Sequence, residues 1–444
     1  TSYPYDNAGQ LIKVTLPDGS WIGYQYDDAH RLAEIADAAG NVVQYTLDAM
    51  GNRVKEDVYD PQDNLKRTQS RVYDSLNRLL RTIGGVDPAR EVTQYGYDSI
   101  GNLLTTLDPL VRSSTQQYDA RSRLSQVTDA ANGVTAYAYD GVDRLLRITD
   151  PRALVTQYTY NGFGDLLQLG SPDTGTAQYT YDDSGNLRTK LDARGQLTTV
   201  SYDALNRIAT RTSANGPTLT YTYDQGAFGI GRLAALNDGA STTQWTYDAF
   251  GRVKTKTQSL HGRGLVVGYS YAAGGKINRI AYPSGRIVSY VYDVAGRVVS
   301  VSVDAVNLLN SATYEPFGPA NGWLWSNGTK HERTYDRDGR VTAIAFPAET
   351  PDKQSFGYDL LDRLTSASLA GSAFNLTYAY DMTGNRTQMV RNGAASQYTT
   401  ASASNRLQAI SGATARSMGY NANGSLTSDR GVTFTYDGRE RLIS

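Results

Sequence analysis

Cysteine is absent from the 444 residues, which excludes a disulfide framework, a thiolate metal site and a cysteine nucleophile. Long apolar runs are lacking as well: none approaches the roughly 18 residues that suggest a membrane span. Charge of one sign is scarce, because 43 Lys and Arg face 44 Asp and Glu for a formal net charge of -1. With no basic block, the electrostatic footprint of a nucleic-acid binder is missing. No leader pattern is visible at Thr1-Ser2-Tyr3-Pro4-Tyr5-Asp6, and the chain ends on Arg441-Leu442-Ile443-Ser444 inside the same pattern, so the expectation is a fragment of a longer protein. What is there in excess is tyrosine, 33 against 8 Phe and 4 Trp. A dry interior has little use for so many phenols, since each buried hydroxyl needs a partner. A half-wet pleated sheet suits them.

The tyrosines are periodic. In "YTYDDSGNLRTKLDARGQLTTVSYDALNRIAT" (179 to 210), Tyr181-Asp182 returns 21 residues later as Tyr202-Asp203. Such pairs or close variants run from Tyr5 to Tyr436, about twenty copies in all. The fourth residue after the tyrosine is usually Gly, Gly318 among them, and otherwise Asn77, Asn206, Asp143, Asp362 or His30. These types tolerate a positive φ. Asp followed three residues later by Gly or Asn is the signature of a type I turn closed by a left-handed residue, a common hairpin connection. The clearest structural turns are Tyr5-Asp6 with Gly9, Tyr97-Asp98 with Gly101, Tyr181-Asp182 with Gly185, Tyr202-Asp203 with Asn206, Tyr292-Asp293 with Gly296, and Tyr335-Asp336 with Gly339. Alternation in Gln157-Tyr158-Thr159-Tyr160 marks strand, and a second turn lies midway through many copies, as at Asp18-Gly19, Asn132-Gly133 and Arg194-Gly195. Each unit therefore reads strand, turn, strand, turn, with no helical segment.

The fold class expected is all-β: one continuous antiparallel ribbon of about twenty hairpins, hence about forty strands, spiralling into a hollow shell. At ~4.8 Å per strand the ribbon is roughly 190 Å long and, with strands of about eight residues, ~25 Å tall; closed once, it has a diameter of roughly 60 Å. A propeller of about ten blades would exceed the usual range. The whole of 1–444 reads as one repeat region.

Candidate chemistries each meet a plainer reading. His30, His261 and His331 are far apart in sequence, and His30 occupies a turn slot, so no metal site is expected. The glycines of 226–231 read as an insertion in a turn, not a nucleotide loop. His261-Gly262-Arg263-Gly264 lacks a nucleophile elbow to serve. The repeated aspartates offer too few oxygens per loop for calcium. Stacked tyrosines could line a glycan groove, but cross-strand tyrosine pairing explains them more simply. The most irregular stretch, 303 to 333, supplies Trp, Asn and Gly. No catalytic residue, cofactor or metal is assigned.

The segments "YDDSGNLRTKLDARGQLTTVSYDALNRI" and "YVYDVAGRVVSV" resemble the YD repeats of the RHS/YD-repeat family, and "YEPFGPANGWLWSNGTKHERTYDRDGRV" (314 to 341) resembles a stretch typical of its proteobacterial RHS members. The resemblance implies a non-catalytic β-cocoon that encapsulates a C-terminal toxin and helps to deliver it. It also implies, as partners, the enclosed toxin polypeptide, a type VI secretion-spike or toxin-complex component and an immunity protein, in an exported bacterial effector that is cytoplasmic before delivery. The family's N-terminal module, its C-terminal core with self-cleavage residues and its toxin are not matched by any part of this sequence. The alternative is a cell-surface glycan-binding or adhesive repeat protein.

Overall fold

A computed structural model describes residues 1–346 and 353–444. Those residues form forty strands and no helix, and strands adjacent in sequence pair antiparallel in one sheet. Most strands are five or six residues long, such as Val155–Tyr160 and Leu166–Ser171, shorter than the eight expected. Two turns of four to five residues in each period leave no room for more, so the ribbon is nearer ~19 Å tall.

The strand before each Tyr-Asp turn ends in the same irregularity. Thr159 faces Gln168 but Tyr160 faces Leu166, so one residue is bulged out of the ladder. The same shift recurs at Tyr26, Tyr97, Tyr139, Tyr181, Tyr202 and Tyr292. A left-handed residue next to a bulge adds right-handed twist, so each hairpin turns its successor in the same sense. Side chains alternate across the ribbon. One face carries the tyrosines, opposite aliphatic partners such as Ile148, Leu169 and Leu236 rather than other tyrosines. The other face is rich in Thr, Ser and Gln, with hydroxyl pairs Thr180–Thr189, Ser201–Thr210 and Thr246–Thr255 at 2.6 Å.

The chain divides into two units, Thr1–Ser113 with Tyr269–Tyr378, and Ser114–Gly268 with Ala379–Ser444. Each contains an earlier and a later stretch of ribbon laid edge to edge. In the first unit, Lys276 Nζ reaches Asp18 at 2.8 Å and the Thr68 N–H donates to Arg337 O at 3.2 Å. In the second, Arg152 donates to Ala401 O at 2.9 Å, and Arg194 pairs with Glu440 at 3.0 Å. Both seams join mid-repeat turns of the earlier pass to Tyr-Asp turns of the later one, which is the local geometry of a spiral.

Among the described residues a layered core is missing. The buried apolar side chains among the described residues are Val43, Val58, Leu219, Ala234, Ala343, Ala367 and Ile410. The accessible surface is 24795 Å² for 48.3 kDa. A compact monomer of that mass exposes about 16,500 Å².

Candidate functional site: the repeat turns and the seams

The Tyr-Asp turn is a closed set of contacts. In the copy at 139–144, Asp140 Oδ1 accepts the N–H groups of Val142 (2.9 Å) and Arg144 (3.0 Å), and Oδ2 accepts Arg144 Nε at 2.6 Å. Arg144 then donates to Asn161 O in the next turn at 2.7 Å and lies 5.1 Å over the Tyr160 ring. The Tyr139 hydroxyl donates to Leu124 O of the preceding hairpin at 2.9 Å. Aspartate thus shapes its own turn, arginine ties it forward, and tyrosine ties it back. Charge-assisted bonds of this kind are the stronger class, although partial exposure screens them.

The turns singled out from sequence have this geometry. Asp6 Oδ1 accepts Ala8 and Gln10 N–H at 2.9 Å, beside Gly9 at φ +79° and the isolated Tyr5–Leu11 bridge. Asp98 takes Ile100 and Asn102, with Gly101 at φ +97°, and Tyr97 donates to Leu79 O. Asp182 takes Ser184 and Asn186, with Gly185 at φ +79°, and Tyr181 donates to Leu166 O. Asp203 takes Leu205 and Arg207, with Asn206 at φ +58°, and Tyr202 donates to Leu187 O. Asp293 takes Ala295 and Arg297, with Gly296 at φ +77°, and Tyr292 donates to Ile277 O. Asp336 takes Asp338 and Arg340, with Gly339 at φ +82°, and Tyr335 donates to Ala320 O at 3.2 Å.

One slot differs from its sequence assignment. At Tyr314-Glu315-Pro316-Phe317-Gly318, Phe317 takes the positive φ (+47°) and Gly318 does not. Pro319 follows, and a residue before proline is pushed toward extended backbone. His30 does sit in the left-handed slot, at φ +62°, with Nδ1 2.9 Å from Gln10 Oε1. His261 and Gly262, at φ +48° and +74°, form a tight exposed hairpin tip. In the 224–232 turn, Asp224 Oδ1 accepts Gly231 N–H at 2.6 Å. His331 is buried, stacked 3.9 Å from Trp323, and burial pushes its imidazole below the ordinary value.

Electrostatics follow the turns. Arg123 beside Asp119 holds that carboxyl at about 2. Lys276, across the seam, and Ser20 hold Asp18 at about 2. Burial pushes the phenols of Tyr181, Tyr202 and Tyr292 up. Among the described residues no group of three His, Cys, Asp or Glu could hold a metal ion. The stretch 303–333 is irregular: a one-residue slip follows Asn310 and is reversed at Tyr314, Ser311 has φ +53°, and a concave site of about 860 Å³ opens there, lined by Lys66, Trp323, Glu332, Arg333 and Arg337 among others.

Two features were missed in reading the sequence. The first is Arg or Asn directly after the left-handed residue, as at Arg31, Asn52, Arg78, Asn102, Arg144 and Arg207, a recurrence that the sequence itself carries. The second is the turn tip, third after the tyrosine. Along the earlier pass it is mostly apolar and often bare, as at Phe163, Leu205 and Phe250 with 96%, 70% and 81% exposure, with Arg121 and Ser184 as polar exceptions. In the later pass several such residues are small or polar and tucked into a seam, although Phe317 and Leu361 are apolar and Thr383 is exposed. Gly274 lies so close that a Cβ there would be 2.2 Å from Asp18 Oδ2, and Asn423 Oδ1 accepts Ala193 N–H at 3.0 Å.

A ribbon of tandem hairpins, each locked to its neighbours through a Tyr-Asp turn, defines the YD-repeat shell class. The teneurin YD-shell family matches residues 48–226 and 216–306, together more than half of the chain, and the RHS repeat matches 5–42 and 26–57. The chain belongs to the RHS/YD-repeat family. It is 28% identical over 142 residues to "Probable deoxyribonuclease RhsB" of Dickeya dadantii (strain 3937), an alignment covering 29% of this chain and 10% of that protein. It is 28% identical over 177 residues to "Double-stranded DNA deaminase toxin A" of Burkholderia cenocepacia (strain H111), covering 28% and 12%. The alignments thus span about a tenth of each of these relatives. Among solved structures, TcdB2-TccC3-Cdc42 matches with a TM-score of 0.76 at 14% identity, over 99% of this chain and 28% of that one. The Photorhabdus luminescens Tc holotoxin pore matches with 0.75, at the same identity and coverage. At that identity the likeness shows the fold.

Proposed function

We propose that this ribbon is the non-catalytic wall of a cocoon that encloses a toxin polypeptide lying C-terminal to it in the full protein. The observation that carries the reading is the surface: 24795 Å² with almost no buried apolar side chains is what a one-layer wall exposes. Such a wall is held by its ladders and turn contacts, so a guest can be released without refolding it. Hairpin turns at both rims also leave few strand edges open to aggregation. A delivery component of the secretion-spike or toxin-complex kind would meet the rims, and the producing cell would need an immunity protein. The protein would be an exported bacterial effector, cytoplasmic before delivery.

A glycan-binding role needs bare aromatic faces. Here the repeat tyrosines carry arginines over their rings, as Arg123 does over Tyr139, and Trp323 stacks on His331. The test is protease protection of the full-length native protein, with cryo-EM of the same sample. A C-terminal segment resistant until the wall is unfolded, with weak density inside a β-wall, supports enclosure. Immediate digestion of that segment, or a solid particle, refutes it.

A further inference from the structure

The seam of the first unit contains two carboxyl groups brought against one loop from opposite sides. Glu91, only 9% exposed, accepts the N–H groups of Asp87 (2.8 Å) and Val86 (3.2 Å) through Oε2. Asp338, at the tip of a Tyr-Asp turn of the later pass, accepts Gly85 N–H at 2.6 Å through Oδ1 and the same Val86 N–H at 3.3 Å through Oδ2. One amide proton is therefore shared by two carboxyl groups.

The compensating charge is thin. Arg340 lies 2.7 Å from Asp336 and 2.5 Å from Asp362, but 3.4 Å from Asp338 and 3.5 Å from Glu91. Arg90 and Asp87, on the loop itself, stand 3.9 Å apart and face each other. Glu56 and Arg67, from the strands beneath, line a small cavity with Asp338, and the Arg337 stem packs on Gly85. A second cavity of about 290 Å³, lined by Glu91, Asp338 and Asp362, lies at the pair.

We propose that Glu91 and Asp338 form a proton-linked latch on this seam. With one proton between them the 84–91 loop is clasped to the later pass, and with both ionised the clasp loosens. Burial first, then the Asp338 charge, pushes the Glu91 carboxyl above its ordinary 4.5. A raised acid contributes fully below its unfolded value and loses that contribution as pH rises through the folded one. The seam is therefore tightest in mild acid and loosens toward neutrality, the opposite of the repeat-turn aspartates. The latch does not depend on what the wall encloses.

The test is hydrogen exchange of the peptide spanning 84–91 in the full chain from pH 4.5 to 8, corrected for the chemical exchange rate at each pH. Wild-type protection should fall with rising pH, tenfold for each unit by which the carboxyl is raised. Glu91→Gln, which keeps the acceptor without the charge, should flatten that profile, and Asp338→Asn, which leaves the burial of Glu91 in place, should shrink it. The Asp18–Lys276 contact elsewhere on the same seam serves as the internal control and should not follow it. Flat wild-type protection, both variants tracking wild type, or an equal fall at the control overturns the latch. If Glu91→Gln does not fold, Asp338→Asn decides alone.

Discussion

Replacing Tyr139, Tyr181 and Tyr223 together with Phe tests whether the phenols hold hairpin to hairpin. Their hydroxyls donate to Leu124 O (2.9 Å), Leu166 O (2.9 Å) and Ile208 O (3.0 Å), and the substitution deletes those bonds while keeping each ring. A net intramolecular hydrogen bond contributes about 1 kcal/mol. The three sites occupy every second hairpin, roughly 19 Å apart, beyond the ~10 Å range over which substitutions usually couple. The triple variant should thus lose about 3 kcal/mol, read as a lower urea midpoint at unchanged m in far-UV circular dichroism. Alkaline titration is a second readout. Burial pushes the Tyr181 and Tyr223 phenols up, so their contribution is full below about 10 and lost as pH rises through the folded values. That alkaline step should shrink in the variant. A midpoint shift worth under about 0.5 kcal/mol, with the alkaline limb intact, would show that water replaces the hydroxyls at no cost and refute the tie-back role.

Four further outcomes are expected. Asp203→Asn keeps the amide acceptor for Leu205 and Arg207 but loses the Arg207 ion pair, whereas Asp203→Ala loses both, so thermal melts should rank wild type above Asn above Ala; equal melting of the two variants would exclude the amide contacts as a cause. Arg194→Ala removes contacts to Asp192 (2.8 Å), Glu440 (3.0 Å) and Asp437 O (3.2 Å), and should cost about 1.5–3 kcal/mol and speed proteolysis within 437–444; unchanged cleavage would mean the second seam is held elsewhere. Val111, 78% exposed and at φ +60°, is β-branched in left-handed backbone, so Val111→Gly should stabilise by about 1 kcal/mol; no gain in urea midpoint contradicts the strain. Asp18 and Asp119, both held at about 2, stabilise above the ordinary carboxyl value and lose that as pH falls through 2, so circular dichroism should hold to about pH 4 and fail below it. Lys276→Ala should move the onset upward, and an unmoved onset argues against the Asp18 pairing.

Val142, Phe163, Leu205 and Phe250, all in the turn-tip slot of the second unit, are 69%, 96%, 70% and 81% exposed, with the polar Ser184 between Phe163 and Leu205. In the later pass Asp338 and Asn423 occupy the equivalent slot and meet mid-repeat turns, with Asn423 bonding Asp192 as well as Ala193.

Strand, turn and bulge are local, and the amino-acid sequence by itself determined them. Asp and a left-handed residue three positions on close a turn through bonds that span no more than four residues, so their spacing is enough to place each hairpin, and alternation between turns places the strands. Because the unit repeats without interruption, the all-β ribbon and its family followed as well. The Arg-to-next-turn and Tyr-to-previous-carbonyl ties were half legible, since their partners lie at nearly constant sequence offsets but on neighbouring hairpins. Where the ribbon returns to itself was not legible. That contact depends on small twists accumulated over some 250 residues, and no local pattern encodes which turn lands on which, as Gly85 on Asp338 or Ala193 on Asn423. Only the tertiary structure decided that Asp338 and Asn423 are seam residues while Phe163 and Leu205, in the same slot of the repeat, stay bare. The same long-range closure put Glu91, unremarkable in sequence, beside a second carboxyl group.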